Sequence, residues 1–167
     1  MKIALPTLGV LNLKGAPAKA IIAEDTAALA SLFSSAAPSE GAPPRCDVLF
    51  IYCDISSDGR IDGSQSGLRE IIRDSGAHVV IVASENSSES YVAAGKQTGY
   101  GRANLVLTLQ RNGPSFTSFF RRLFAEMTKG VSMPAAWGKL APQVPDDDHP
   151  DCPGTIFACE AGQITFA

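Results

Sequence analysis

The chain has 167 residues, enough for one domain with a substantial core and too few for two ordinary ones. Its 45% hydrophobic and 19% charged content is that of a globular protein, and a net charge of −3 offers no basic field to nucleic acid or an anionic membrane. No apolar run approaches the roughly 18 residues of a membrane span, so the sequence predicts a single domain over 1–167 with no nucleic-acid and no membrane role.

The first twenty residues open with Lys2 and run through an apolar stretch to Ala16-Pro17-Ala18, the outline of a signal peptide. Pro6, Thr7 and Asn12 interrupt that stretch, so it reads instead as a short strand, Ile3-Ala4-Leu5, and a loop. Ala20-Ile21-Ile22-Ala23 predicts a second strand closed by Glu24-Asp25. Thr26 then caps a helix that turns Leu29, Leu32 and Phe33 inward. The Pro-, Gly- and Ser-rich stretch 34–45, "SSAAPSEGAPPR", predicts a flexible surface loop.

From Cys46 onward the signals are stronger. "CDVLFIYCD", 46–54, is apolar almost throughout and predicts a strand buried on both faces, hence central in a parallel sheet. Residues 57–67, "SDGRIDGSQSG", form a loop with two Asp-Gly turns. A helix over 66–75 buries Leu68, Ile71 and Ile72 and ends at Gly76. "HVVIVASENSS", 78–88, is a second central strand. A helix over 88–97 with Tyr91 and Val92 inside follows, then a strand over 104–109. Phe116, Phe119, Phe120, Leu123, Phe124 and Met127 trace a 3.6-residue stripe. Gly130 stops that helix, and Ser132 with Met133-Pro134 opens the next, which carries Trp137 as a core residue. The alternating end, "TIFACEAGQITFA", predicts a C-terminal β-hairpin. Together these elements predict a three-layer, flavodoxin-like α/β fold: a mostly parallel sheet with helices on both faces.

The four cysteines, Cys46, Cys53, Cys152 and Cys159, fall in two local pairs, each seven residues apart. In extended chain that spacing puts the thiols on opposite faces and about 23 Å apart, beyond disulfide reach. Reduced thiols and a cytoplasmic location are the expectation.

Sheets of this kind place their chemistry just past the carboxyl ends of the strands. Two segments stand there: Cys53-Asp54 after the first central strand, and Ser84-Glu85-Asn86 after the second. Their order and spacing resemble the CHAT domains, relatives of caspases and separases. In that family a strand of the type D-[VI]-[VI]-H-F-x-x-H-G carries the catalytic His, and a later strand of the type V-V-L-S-A-C-E-T-G carries the catalytic Cys. "VVIVASENS" from Val79 overlays the second motif without gaps: Ser84 falls on the nucleophile, Glu85 keeps the acid, Asn86 replaces Thr and Ser87 replaces Gly. "DVLFIYCDI" from Asp47 overlays the first motif with Phe50 on its first His and Asp54 on the catalytic His. "GVSMPAAW" echoes the family's later G-x-S-x-x-x-A helix, and the final hairpin suits its closing strand. The resemblance runs from Cys46 to about Ala141 and implies a caspase-like fold.

Both residues that define the family's peptidase activity are replaced, so the resemblance implies an inactive domain. A Ser hydroxyl is too weak an acid to be activated by a lone carboxylate with no imidazole between them. His78 lies at the other end of its strand, and His149 lies outside the matched segment. Cys53 has Asp54 as its neighbour, which raises a thiol pKa, so a buried inert side chain is the expectation. "DDDHPDC", 146–152, offers His149, Cys152 and Asp147 as metal ligands. Their spacing fits no closed-site pattern, so no metal is predicted. The Gly-rich 57–67 loop lacks a nucleotide-binding frame, so no cofactor is predicted, although a phosphate could in principle rest at the following helix. The expected function is that of a binding or regulatory module, with a protein partner or a second copy of the chain. Two alternatives stay open: an enzyme of the same fold acting on a small molecule through Asp54, Ser84 and Glu85, and a flavodoxin-like ligand-binding domain.

Overall fold

The computed structural model describes residues 1–85, 88–96, 102–108, 113–141 and 154–167. Among these residues the main sheet has six strands in the order β3-β2-β4-β5-β6-β7, namely Ser35–Glu40, Thr7–Asn12, Val48–Tyr52, Val79–Ala83, Asn104–Thr108 and Thr155–Cys159. The first five run parallel and β7 is antiparallel to β6. β4 and β5 are adjacent at the centre, and every one of their residues is buried. This is the outcome their continuous apolar runs predict, because both faces of a central parallel strand are covered by helices.

The helices split by direction of travel. Helix α1, Lys19–Ala30, carries the chain outward from β2 to β3 and packs on one face of the sheet. Helices α2, Leu68–Ser75, and α3, Ser88–Gly95, carry it the other way from β4 to β6 and pack on the opposite face. Helices α4, Gly113–Thr128, and α5, Met133–Leu140, return to the α1 face. A constant crossover hand requires this change of face when the direction changes. The three-layer, mostly parallel α/β fold is thus present.

No helix spans 41–47, between β3 and β4. This connection crosses β2 so closely that a Cβ on Gly9 would lie 2.4 Å from the Cys46 sulfur and 2.9 Å from Pro44 Cγ. Only glycine lets it pass.

On the α1 side the core is aromatic. Phe116, Phe119, Phe120 and Phe124 of α4 are fully buried, and Phe50 of β4 meets Phe120 edge-on at 5.3 Å between ring centroids. Half-buried Trp137 of α5 stacks on Phe157 of β7 at 4.9 Å. At the C-terminus a turn at Gly162 joins β7 to β8, Thr165–Phe166, and the two arms take different partners. β7 closes the main sheet, while β8 lies parallel to β1, Lys2–Ile3.

The first 45 residues differ from expectation at several points. Ala20–Ala23 is not a strand but part of α1, and Thr26 sits inside that helix, its hydroxyl donating to the Ile22 carbonyl. Of the predicted strand Ile3-Ala4-Leu5 only Ile3 lies in a strand, β1, and the first strand of the main sheet is Thr7–Asn12. The stretch 34–45 is not loop throughout: Ser35–Glu40 forms the edge strand β3, paired with β2 over its whole length. On α3, Val92 faces outward at 49% exposure rather than inward.

Candidate functional site

Because β2, β4 and β5 run in register, Asn12, Tyr52 and Ala83 are level, so Lys14, Asp54 and Ser84 emerge at the same end of the sheet. The chain leaves β2 in one direction and β4 in the other, so the crevice between them is the switch point where ligands bind in open α/β sheets.

The sequence-predicted residues meet different fates there. Asp54 is exposed, and its Oδ1 lies 2.9 Å from Lys14 Nζ, across the switch point. Ser84 is only 1% exposed. Its backbone N–H donates to Thr108 Oγ1, and that hydroxyl in turn donates to the Val82 carbonyl at 2.8 Å. The serine is thereby closed in between β5 and β6. Glu85 is exposed; Asn86 lies outside the described residues. Cys53 is fully buried, and burial above all, then the Asp54 charge, pushes its thiol up to about 12 despite Lys14 nearby. Such a thiol holds almost no thiolate at neutral pH and is inert. His78 precedes β5 at the opposite end, where its N–H donates to Asp47 O. His149, Cys152 and Asp147 lie outside the described residues, and among the described residues no three His, Cys, Asp or Glu side chains converge on a point that could hold a metal.

The 54–66 loop lies folded on the α2 and α3 face. Ile55 and Ile61 form a bridge pair buried in the aliphatic core. Both Asp-Gly turns are real, with φ of +83° at Gly59 and +77° at Gly63. Gly59 presses on α3 so closely that a Cβ there would lie 2.4 Å from the Ala94 nitrogen. The Ser56 hydroxyl donates to Asp58, which holds that carboxyl below its usual range. At the start of α2, Glu70 Oε2 would lie 2.8 Å from a Cβ on Gly67, so the helix's own carboxylate stands where a phosphate would rest.

Two residues of the site went unforeseen. Asn12 Oδ1 accepts from the N–H groups of Lys14 and Gly15, both at 3.0 Å, and its Nδ2 donates to Gly15 O. The backbone donors that a flavodoxin-like fold would offer an anion at this turn are therefore already satisfied by a side chain. Asn two residues before Lys-Gly is the local signal for such a turn. Asp25 of α1 is buried and accepts a 2.7 Å hydrogen bond from the Tyr52 hydroxyl. Its spacing, three residues after Ile22 and four before Leu29, puts it on the buried side of α1, where an acid needs a partner.

Compared with known proteins, the chain matches no family model, no curated protein and no solved structure.

Proposed function

We propose that the chain is a catalytically inactive, caspase-like domain of CHAT type that works as a binding or regulatory module in the cytoplasm, beside a protein partner or a second copy of itself. One observation carries this reading. The residues at the two dyad positions stand at the same end of adjacent central strands, and neither is set up to react: Asp54 is paired with Lys14, and Ser84 is enclosed. A serine nucleophile needs an imidazole within hydrogen-bond reach and open access for substrate. The satisfied turn at Asn12 speaks against the flavodoxin-like ligand reading as well. Cys46, Cys53 and Cys159 are free thiols, in keeping with a reducing compartment. No helix among the described residues is long and apolar enough to cross a membrane.

The test is cleavage of a broad peptide library by the purified chain, with Ser84→Ala and Asp54→Ala beside it. No turnover by any of the three is expected; turnover by the parent that both variants abolish would overturn the reading. The double variant Asp54→His with Ser84→Cys tests the dyad alignment itself. Its structure should place thiol and imidazole about 3–6 Å apart, near hydrogen-bond reach. The two groups far apart would mean these positions never formed a dyad.

A further inference from the structure

Leu5, between β1 and β2, is 72% exposed, more than any other large apolar side chain among the described residues. Its backbone takes φ of +51°, a region that leucine rarely enters, and Pro6 after it favours extended chain instead. Two hydrogen bonds hold it there: its N–H donates to Ala167 O at 3.3 Å, and its carbonyl accepts from the Ser34 hydroxyl at 2.8 Å. A leucine turned to solvent on a strained backbone adds nothing to the core, and strain of this kind gathers at sites that bind. Ser34 leads into β3. About 15–20 Å along that strand, at Pro38 to Glu40, a cleft of about 630 Å³ lies between α1 and the sheet. Val10, Ile22, Ala23, Ala27 and Pro38 line it. Its polar side chains are all committed within the chain. Asn12 closes the turn at Gly15, the Thr26 hydroxyl donates to Ile22 O, the Ser39 hydroxyl donates to Ala42 O at 2.6 Å, and Lys19 pairs with Glu40 at 3.0 Å. With no polar group left to hold a polar ligand, the cleft suits an apolar one. Helix α1 above it is apolar nearly all round, the pattern of a helix that is covered on both sides.

We propose that the Leu5 side chain of one copy of this chain fills the α1–β3 cleft of a second copy, and the reverse, in a two-fold dimer. Leu5 and the cleft stand at opposite ends of one edge strand. A two-fold axis through the middle of β3 brings both contacts together at once and closes the assembly at two. The strand is uncharged from Ser35 to Ser39, and Glu40 of one copy meets the Ser34 end of the other, so no like charges are opposed. Pro38 offers no N–H, which breaks the ladder that a continued sheet would need, so the copies meet through side chains. An unrelated partner would leave unexplained why one chain carries both parts, spaced along one strand. The dimer involves neither Asp54 nor Ser84, so association and peptide cleavage succeed or fail separately.

Sedimentation velocity of the full chain, from micromolar to submillimolar, tests this. A reversible equilibrium between monomer and dimer is expected, with nothing larger. Leu5→Asn keeps a residue that accepts positive φ but loses the apolar side chain. It should raise the dimer dissociation constant by at least about a hundredfold, because two leucines per dimer lose their burial. It should also melt no lower than the parent in dilute solution. Ala27→Glu, which puts a charge in the cleft, should weaken association likewise. An equal mixture of the two variants keeps one intact contact per mixed pair and should associate more tightly than either alone. Val92→Asn, exposed on α3, should leave association unchanged. A parent that stays monomeric or grows beyond dimers, a Leu5→Asn chain that dimerises as the parent does or melts well below it, or a mixture no tighter than its parts would each overturn the proposal.

Discussion

The two faces of the sheet are built from different materials. The face under α1, α4 and α5 holds every fully buried phenylalanine and is spanned by the 16-residue α4. Among the described residues the face under α2 and α3 buries no aromatic side chain; its core is Leu, Ile, Val, Ala and Cys under two eight-residue helices and the 54–66 loop. Interlocked rings on a long helix are hard to rearrange, because each ring fixes its neighbours. Short elements over aliphatic side chains can settle into a gap. A cavity of about 260 Å³ between α2 and β6 lies on this second face, as does the tightly placed Gly59. One face holds the shape, and the other has room to give.

Matched deletions test that contrast most strongly. Leu123 of α4 and Leu68 of α2 are both fully buried. Each Leu→Ala change should cost about 2–5 kcal/mol, with Leu123 near the top and Leu68 near the bottom of the range, because the size of the remaining cavity sets the cost. Urea midpoints at constant m-value measure this; equal costs would break the comparison.

Gly59→Ala should destabilise by about 1–3 kcal/mol, from positive φ and from the clash with the α3 backbone. Limited proteolysis should then cut near α3 before it cuts α4. Cutting in α4 first would place the weak face on the wrong side.

A subtler probe is Glu126, which joins α4 to α5 by accepting from Lys129 and Lys139, both at 2.7 Å. Those two ammoniums lower its pKa to about 2. A depressed carboxylate pKa stabilises the fold above the unfolded value, and that contribution is lost as pH falls through the folded one. Glu126→Gln should therefore melt earlier than the parent at pH 6, with the difference closing between about pH 4.5 and pH 2. A difference independent of pH would show that the ammoniums are not responsible.

Smallest in its effect on stability is thiol labelling at pH 8. Cys159 is exposed and should react with iodoacetamide; Cys46 and Cys53, both held near 12 mainly by burial, should stay unlabelled until the chain unfolds. Mass spectrometry of the peptides reads this directly, and early labelling of Cys53 would open the aliphatic face to doubt.

Legibility in the sequence follows the same physics. From Cys46 to Ala141 the described elements other than α3, whose Val92 faces outward, each bury one clear set of apolar residues, so runs and stripes announce strands and helices close to their true bounds. The first 45 residues lack that signal for three separate reasons. Helix α1 is apolar nearly all round, exposing Ala20, Ile21, Ala23 and Ala27, so it shows no stripe and "AIIA" looks like a strand. β3 is an edge strand held by its backbone ladder to β2, and "SAAPSE" needs no apolar residues to do that; Pro38 is tolerated because it is an edge. In β2, Gly9 and Asn12 break the apolar pattern because one admits the 41–47 crossing and the other builds a turn. The site was legible to the same degree. Strand ends placed Asp54 and Ser84 together, but Lys14 reaches Asp54 from a segment forty residues away, and no local pattern encodes that meeting.

The small pairing of β1 with β8 has a consequence for how the chain is wired. Met1 donates its ammonium to the Gln163 carbonyl, and the Ala167 N–H donates to Ile3 O, so the two ends lie side by side at one spot on the surface. A bridge of a few residues would close the chain into a ring without moving any strand. Cutting that ring in the exposed turn at Gly41 would give a new linear order, β4 first and β3 last, with the same sheet. The order in which the elements are synthesised is thus separable from the order in which they pack.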